Sequence, residues 1–282
     1  MQVYNNNDGS TGKISTSKGN QIKLEAGGIW YKADYLGYEG AAEFLCSKIL
    51  EYSNVDDYVD YDLCTMTING QKYNACQSYN FLEEGTEIIT ADRLFKNAVT
   101  SEFPAVLDKM SLKDRIEYFV ENVEKYTKIP DFGKELTKML EFDQLTLNDD
   151  RHFNNIAFIR DENDNYEMTP LFDNGGAFLS DIRTSYPLEK SIYGLIHDVQ
   201  GKPFSPDFDK QVDVLHAMYG QQLEIDNSFH FKEEDLQKLR KQYGEKVFSR
   251  VNDIWKQQQY RYPEYFREPE ISIPEPYQDD ER

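Results

Sequence analysis

Apolar and polar positions follow two regimes along the chain. In the first hundred residues they alternate in short runs. Gln21–Leu24 and Gly28–Lys32 read as strands joined by a turn at Glu25-Ala26-Gly27. Asp62–Ile68 and Lys72–Ser78 flank Asn69-Gly70, a dipeptide suited to a two-residue hairpin. Between these pairs, Ala41, Phe44, Leu45, Ile49 and Tyr52 recur at helical spacing, which predicts an amphipathic helix over Gly40–Tyr52. From Ser111 onward the period lengthens. One helix opens at Ser111-Leu112-Lys113-Asp114, and another runs from about Asp131 to about Phe142. A β interlude follows, with strands at Ile156–Ile159 and Tyr166–Thr169 around a turn at Asp161–Asn165. Asp207 to Tyr262 reads as helical again, most clearly in Glu233–Tyr243 and Glu245–Tyr260. The expected class is therefore α+β: a small β-rich lobe with one main helix over residues 1–95 and a larger helical lobe over 96–262. Residues 263–282, rich in proline and charge, read as a tail.

Composition narrows the choice of partners. The 282 residues include 51 acidic and 31 basic side chains, for a net charge of −20 that would repel a phosphate backbone. No direct nucleic-acid partner is expected, while a basic protein or a small anion in a local positive pocket stays open. Three cysteines without a CxxC pair argue against a disulfide framework and a structural zinc site. No leader-like segment or apolar run near membrane-spanning length is evident, so a cytoplasmic protein with no membrane span is expected. An effector exported by another route would look the same.

The chemistry concentrates in two short stretches. Asn148-Asp149-Asp150-Arg151-His152-Phe153-Asn154-Asn155 precedes the β interlude, and Leu171-Phe172-Asp173-Asn174-Gly175-Gly176 follows it. Phosphoryl transfer requires a carboxylate to orient the attacking hydroxyl and hard oxygen ligands to hold Mg²⁺ against the phosphates. Asp150 fits the first role, and Asn155 and Asp173 fit the second. A hairpin between positions 155 and 173 would bring the two ligands together. Taken singly, each of these residues fits a solvated turn; bracketing by apolar strands and the glycines after Asp173 separates the set from one. His152 either holds the loop in shape or moves a proton. Arg151 either orients a phosphate or pairs with a neighbouring acid.

Upstream, Lys32 closes a strand and Glu43 lies on the following helix, as a phosphate-binding ammonium and its carboxylate partner would. Alone, they would read as an exposed lysine and a surface glutamate. Gly9-Ser10-Thr11-Gly12-Lys13, followed by Ser15, Thr16 and Ser17, is either a loop laid over phosphates or an unstructured start, and it lacks the Walker A spacing. Asp161, Asn163 and Asn165 begin like an EF-hand, but Tyr166 and Phe172 stand where that loop needs glycine and glutamate.

Asp-x-His-x-x-Asn at Asp150, His152 and Asn155, with Leu-Phe-Asp-Asn-Gly-Gly at 171–176, resembles the catalytic core of HipA-like serine/threonine kinases, including the CtkA-like branch. Trp30-Tyr31-Lys32, Glu39–Phe44 and Phe81–Thr90 are similar to the same family's small lobe. The resemblance implies a two-lobed protein-kinase-like fold with a catalytic hairpin over 147–176, and ATP and Mg as cofactors. It makes Asp150 the catalytic aspartate, Asn155 and Asp173 the metal ligands, and Lys32 the ATP lysine, with an adenine hinge at Ser78, Tyr79, Asn80 and Phe81. It implies a protein substrate bearing Ser or Thr, and self-phosphorylation on the N-terminal loop at Ser10, Thr11, Ser15 or Thr16. Full-length HipA toxins carry an additional N-terminal domain without a counterpart in these residues, which bears on whether a DNA-binding antitoxin partner exists. A lipid or small-molecule kinase, or a catalytically silent nucleotide-binding module, are the alternative readings.

Overall fold

Two glycine-containing turns set the small lobe. In the computed structural model, which describes residues 21–267 together with the backbones of two short N-terminal strands, Gly27 and Gly28 both adopt positive φ, at 62° and 78°. Asn69 and Gly70 do the same, at 51° and 78°. Both pairs make the two-residue turn whose twist matches that of the flanking strands. The first turn therefore lies later than the Glu25-Ala26-Gly27 expected from the sequence. Two adjacent glycines accept left-handed backbone at little cost, whereas Glu25 and Ala26 do not.

The strands are β1 (Val3–Asn5), β2 (Lys13–Thr16), β3 (Ile22–Ala26) and β4 (Ile29–Ala33), then, after helix α1 (Glu39–Leu50), β5 (Asp62–Ile68) and β6 (Gln71–Tyr79). They form one sheet in the order β1-β5-β6-β4-β3-β2, antiparallel except where β1 runs parallel to β5. Helix α1 is more deeply enclosed than its amphipathic pattern suggests. Every residue from Gly40 to Ser47 is buried, because the sheet covers one side and the large lobe the other.

The large lobe begins earlier than residue 96. Strand β7 (Glu87–Thr90) pairs with β8 (Ala157–Arg160), and β8 with β9 (Tyr166–Met168), so the predicted hairpin gains a third strand from upstream. Helix α2 (Ala91–Ala98) follows directly, capped by the Thr90 side chain, and a boundary at 95/96 would cut through it. Helix α3 (Leu112–Thr127) starts at its predicted Ser111 cap. Helix α4 (Phe132–Thr146) runs a turn beyond the expected end at Phe142. Phe95, Phe103, Phe119, Phe132, Phe153, Phe158 and Phe204 interlock in the core between these helices and β8.

Helices α5 (Ile192–Asp198), α6 (Phe208–Tyr219) and α7 (Glu233–Arg261) complete the lobe, with strand β10 (Ile225–Asp226) between α6 and α7. The helical stretch expected over Asp207–Tyr262 is thus interrupted. The predicted break between Tyr243 and Glu245 is present: Gly244 lies at φ 82°, ψ 172° and kinks α7. The predicted tail at 263 starts too early. Tyr265 is fully buried, and β11 (Phe266–Arg267) pairs with β10. Among the described residues, no helix is long and apolar enough to cross a membrane.

Candidate active site

The loop after α4 carries the first predicted stretch, and its geometry depends on Arg151. This side chain is completely buried. Its Nε and Nη2 donate to the two carboxylate oxygens of Asp143 on α4, at 2.8 and 3.1 Å. Nη1 donates to the carbonyls of Asn155 (3.0 Å) and Phe172 (2.8 Å), and Nη2 also donates to Asn174 Oδ1 at 2.6 Å. All five guanidinium N–H donors are therefore used. Asp143 is itself fully buried; burial raises its pKa, against the opposing pull of Arg151. Of the two expectations for Arg151, pairing with an acid is the one observed, and the acid comes from the helix rather than the loop.

Through Arg151, the segment 148–155 is joined to the segment 171–176. Asn155 Nδ2 donates to the Asp150 carbonyl at 2.8 Å, which leaves its amide oxygen as an acceptor. The loop is tightened further by His152 N–H donating to Asp150 O and Asn155 N–H donating to His152 O. The His152 ring does not add to this: its Nδ1 is enclosed and finds no partner among the described residues. Gly176 permits the closest approach, since a β-carbon there would stand 2.9 Å from Asp150 Cβ and 2.8 Å from Asn148 Oδ1. The Asp150 carboxylate remains half exposed, with Lys202 Nζ 2.9 Å from Oδ1.

The small lobe supplies the opposing side. Lys32 Nζ lies 2.6 Å from Glu43 Oε1, 2.9 Å from Asp173 Oδ1 and 3.0 Å from the Tyr61 hydroxyl. Glu43, also buried, accepts from Asn174 N–H at 2.8 Å and so links α1 to the residue after Asp173. Desolvation alone would lower the Lys32 pKa, but Asp173 and Glu43 together raise it. Burial opposes ionisation of Asp173, yet Lys32 and Lys23 outweigh it and hold this carboxyl well below the usual range. Glu43 moves the other way, raised chiefly by burial. Asp173 itself sits at φ 59°, in the left-handed region that a non-glycine residue seldom adopts.

Lys23 is a residue the sequence reading missed. It pairs in register with Lys32 across the β3–β4 hairpin and places Nζ 3.8 Å from the same Asp173 oxygen. The signal was present in the glycine turn, because a turn at Gly27-Gly28 puts residues 23 and 32 opposite each other on one face.

The four expected hinge residues divide. Ser78 is buried at the end of β6, and Phe81 packs with Phe172, Val59, Tyr61 and Cys76 in an apolar patch adjoining Lys32. Asn80 caps its own turn by accepting from Leu82 N–H. Tyr79, 81% exposed, faces away. Gly9, Ser10, Thr11, Gly12 and Ser17 lie outside the described residues, and for Ser15 and Thr16 only the strand backbone is described.

Beside Asp150, Asp149 Oδ2 accepts from the Tyr186 hydroxyl at 2.5 Å. Burial pushes the Asp149 carboxyl up to about 6, helped by Asp150 and Asp181 and opposed by Tyr186 and Lys202.

Two predictions follow from this geometry. Arg151→Met should destabilise the fold by about 3–5 kcal/mol, because it leaves Asp143 buried without a counter-charge. Adding Asp143→Leu should recover part of that loss in urea unfolding; a double variant no better than the single would contradict the account. For Asp149, the raised folded pKa favours the protonated form. Its contribution to stability is therefore full below the ordinary aspartate value and is lost as pH rises through about 6. Asp149→Asn should be more stable than wild type at pH 7.5, by on the order of 1–3 kcal/mol, and should lose that advantage near pH 4. Thermal melting across this pH range measures the crossover.

No model of a known protein family matches the chain, and no curated protein matches it. Among solved structures, it is similar to the Helicobacter pylori proinflammatory kinase CtkA, with a TM-score of 0.52 and 16% identity over 89% of this chain and 93% of that one. It also matches HipA of Shewanella oneidensis MR-1, a toxin solved with HipB and operator DNA. That match has a TM-score of 0.37 and 13% identity over 83% of this chain and 61% of that one. The likeness to CtkA establishes the fold: a two-lobed, kinase-like α+β architecture.

Proposed function

We propose that this chain is an ATP- and Mg-dependent kinase that phosphorylates Ser or Thr on a protein substrate. The observation that carries the reading is the convergence on Asp173. Lys32 bonds Glu43 and Asp173 together, while Arg151 fastens the Asp150–Asn155 loop to the segment holding Asp173. A buried lysine pinned by a helix carboxylate can grip the phosphates of a nucleotide, and Lys23 offers a second cation on the same face. The apolar patch of Phe81, Val59, Cys76 and Phe172 supplies a surface for a base.

Asn155 and Asp173 would hold Mg²⁺. Their hard oxygens suit that ion, the Asn155 amide oxygen is left as an available ligand because the amide nitrogen makes the bond to Asp150 O, and Asp173 is strongly inclined to remain ionised. When bound, the metal neutralises charge on the phosphates. Asp150 orients the incoming hydroxyl and takes its proton. The hydroxyl oxygen bonds to the γ-phosphorus as the bond to the β–γ bridging oxygen breaks and ADP leaves.

A lipid kinase built on the same core is less favoured, since a net charge of −20 opposes docking on anionic membranes. The same acidity fits a basic protein substrate. An antitoxin partner is implied by the resemblance to HipA-like kinases alone.

The test is transfer of labelled phosphate from ATP to protein in a cell lysate, followed by site mapping. Asp150→Asn should lower the rate by about 10²–10⁴-fold while leaving ATP binding intact. Asp173→Asn should instead weaken Mg-dependent nucleotide binding. Near-normal transfer by the Asp150 variant would remove the assignment.

Ser10 and Thr11, outside the described residues, and Ser15 and Thr16, which lie in strand β2 and not in the loop expected from the sequence, are proposed as sites of self-phosphorylation. A phosphate there would compete with those of ATP for the same lysines. Mass spectrometry should find it on active protein and not on the Asp150→Asn variant; active protein unmodified at these hydroxyls would end the idea.

A further inference from the structure

Lys202 lies far from both predicted stretches in sequence, yet its Nζ is 2.9 Å from Asp150 Oδ1. The two side chains are 46% and 51% exposed, and an ion pair that open contributes little to stability by itself. The loop that carries Lys202 is, in contrast, firmly fixed. The fully buried Gln211 of α6 accepts from Phe204 N–H at 3.0 Å and Ser205 N–H at 3.3 Å, and donates to the Lys202 carbonyl at 3.0 Å. Gly201 N–H donates to Pro206 O at 2.8 Å, and Arg115 Nη1 donates to Phe204 O at 3.0 Å. Phe204 then packs edge-on against Phe153, three residues after Asp150, with ring centroids 5.6 Å apart. The backbone on both sides of the Lys202–Asp150 contact is thus held by one aromatic core. What is left to settle is the side-chain torsions of the two partners.

We infer that Lys202 is a positioning residue for Asp150: it engages one carboxylate oxygen so that the other is presented to the substrate hydroxyl. This inference rests on the kinase reading above. A half-exposed carboxylate on a surface loop has several rotamers of similar energy, and transfer needs one of them. A lysine delivered from a separately anchored loop selects that rotamer without burying the carboxylate or blocking access to it. Asp149, the next carboxylate along, is already committed to Tyr186, and the His152 ring makes no bond to Asp150. Lys202 is therefore the one charged partner assigned to the Asp150 side chain among the described residues.

The experiment uses the full chain as wild type, Lys202→Met and Lys202→Arg, with Mg-ATP and casein or myelin basic protein as acceptor. Misplacement of a reacting group by about 1 Å costs about 10²-fold, so kcat of Lys202→Met should fall toward that extent. Lys202→Arg, which keeps the charge and reach, should retain most of the rate. The Kd for ATP by calorimetry and the melting temperature should be unchanged in both variants. Wild-type kcat in Lys202→Met, or a loss confined to ATP affinity, would overturn the inference while leaving the kinase reading intact. A wild-type chain that transfers no phosphate to any protein would overturn both together.

Discussion

The candidate site depends on one buried ion pair. Asp143 projects from the last turn of α4, and Arg151 answers it from the loop that follows; neither is reached by solvent. Burying two charges is costly, and such a pair is seldom retained for stability alone. Here the guanidinium has three further N–H contacts, and they go to Asn155, Phe172 and Asn174. Two segments separated by a complete β-hairpin are thereby held in register by one side chain. An apolar replacement could fill the volume, but it could not satisfy two carbonyls and an amide from different loops.

A second constraint is electrostatic and runs against the character of the whole molecule. The chain is strongly acidic, yet the face formed by β3 and β4 presents Lys23 and Lys32 together. These cations are neutralised internally by Glu43 and Asp173. Glu43 is bound also to the Asn174 amide, so the ion cluster is tied to the backbone of the large lobe.

How much of this was legible in sequence depended on the kind of signal. Asn69-Gly70 and Gly244 were read correctly because left-handed backbone has a local residue signature. Asp150, Asn155, Asp173, Lys32 and Glu43 stood out because their types and spacing are unusual together, and the structure brings Lys32, Glu43 and Asp173 into direct contact. Lys23 was missed through a small error of geometry. A turn centred on Ala26 sets Lys32 opposite Asn20, whereas the Gly27-Gly28 turn sets it opposite Lys23. The end of α4 was missed for the opposite reason. Glu141, Asp143, Gln144 and Thr146 look like solvent-facing residues, but all are buried: Glu141 and Gln144 bond residues far along the chain, Asp143 pairs with Arg151 in the next loop, and Thr146 donates to the Phe142 carbonyl within the helix. Strand β7 was hidden because its partner β8 lies some seventy residues downstream.

Helix α7 bears on how the two lobes are joined. Before Gly244, Gln242 donates to the carbonyls of Cys64 and Ala75 in the small-lobe sheet; after it, Gln258 donates to those of Gln144 and Leu145 at the end of α4. One continuous chain segment is thus fastened to both halves on either side of Gly244, and the kink at that glycine lets each half of the helix run in the direction its own lobe requires.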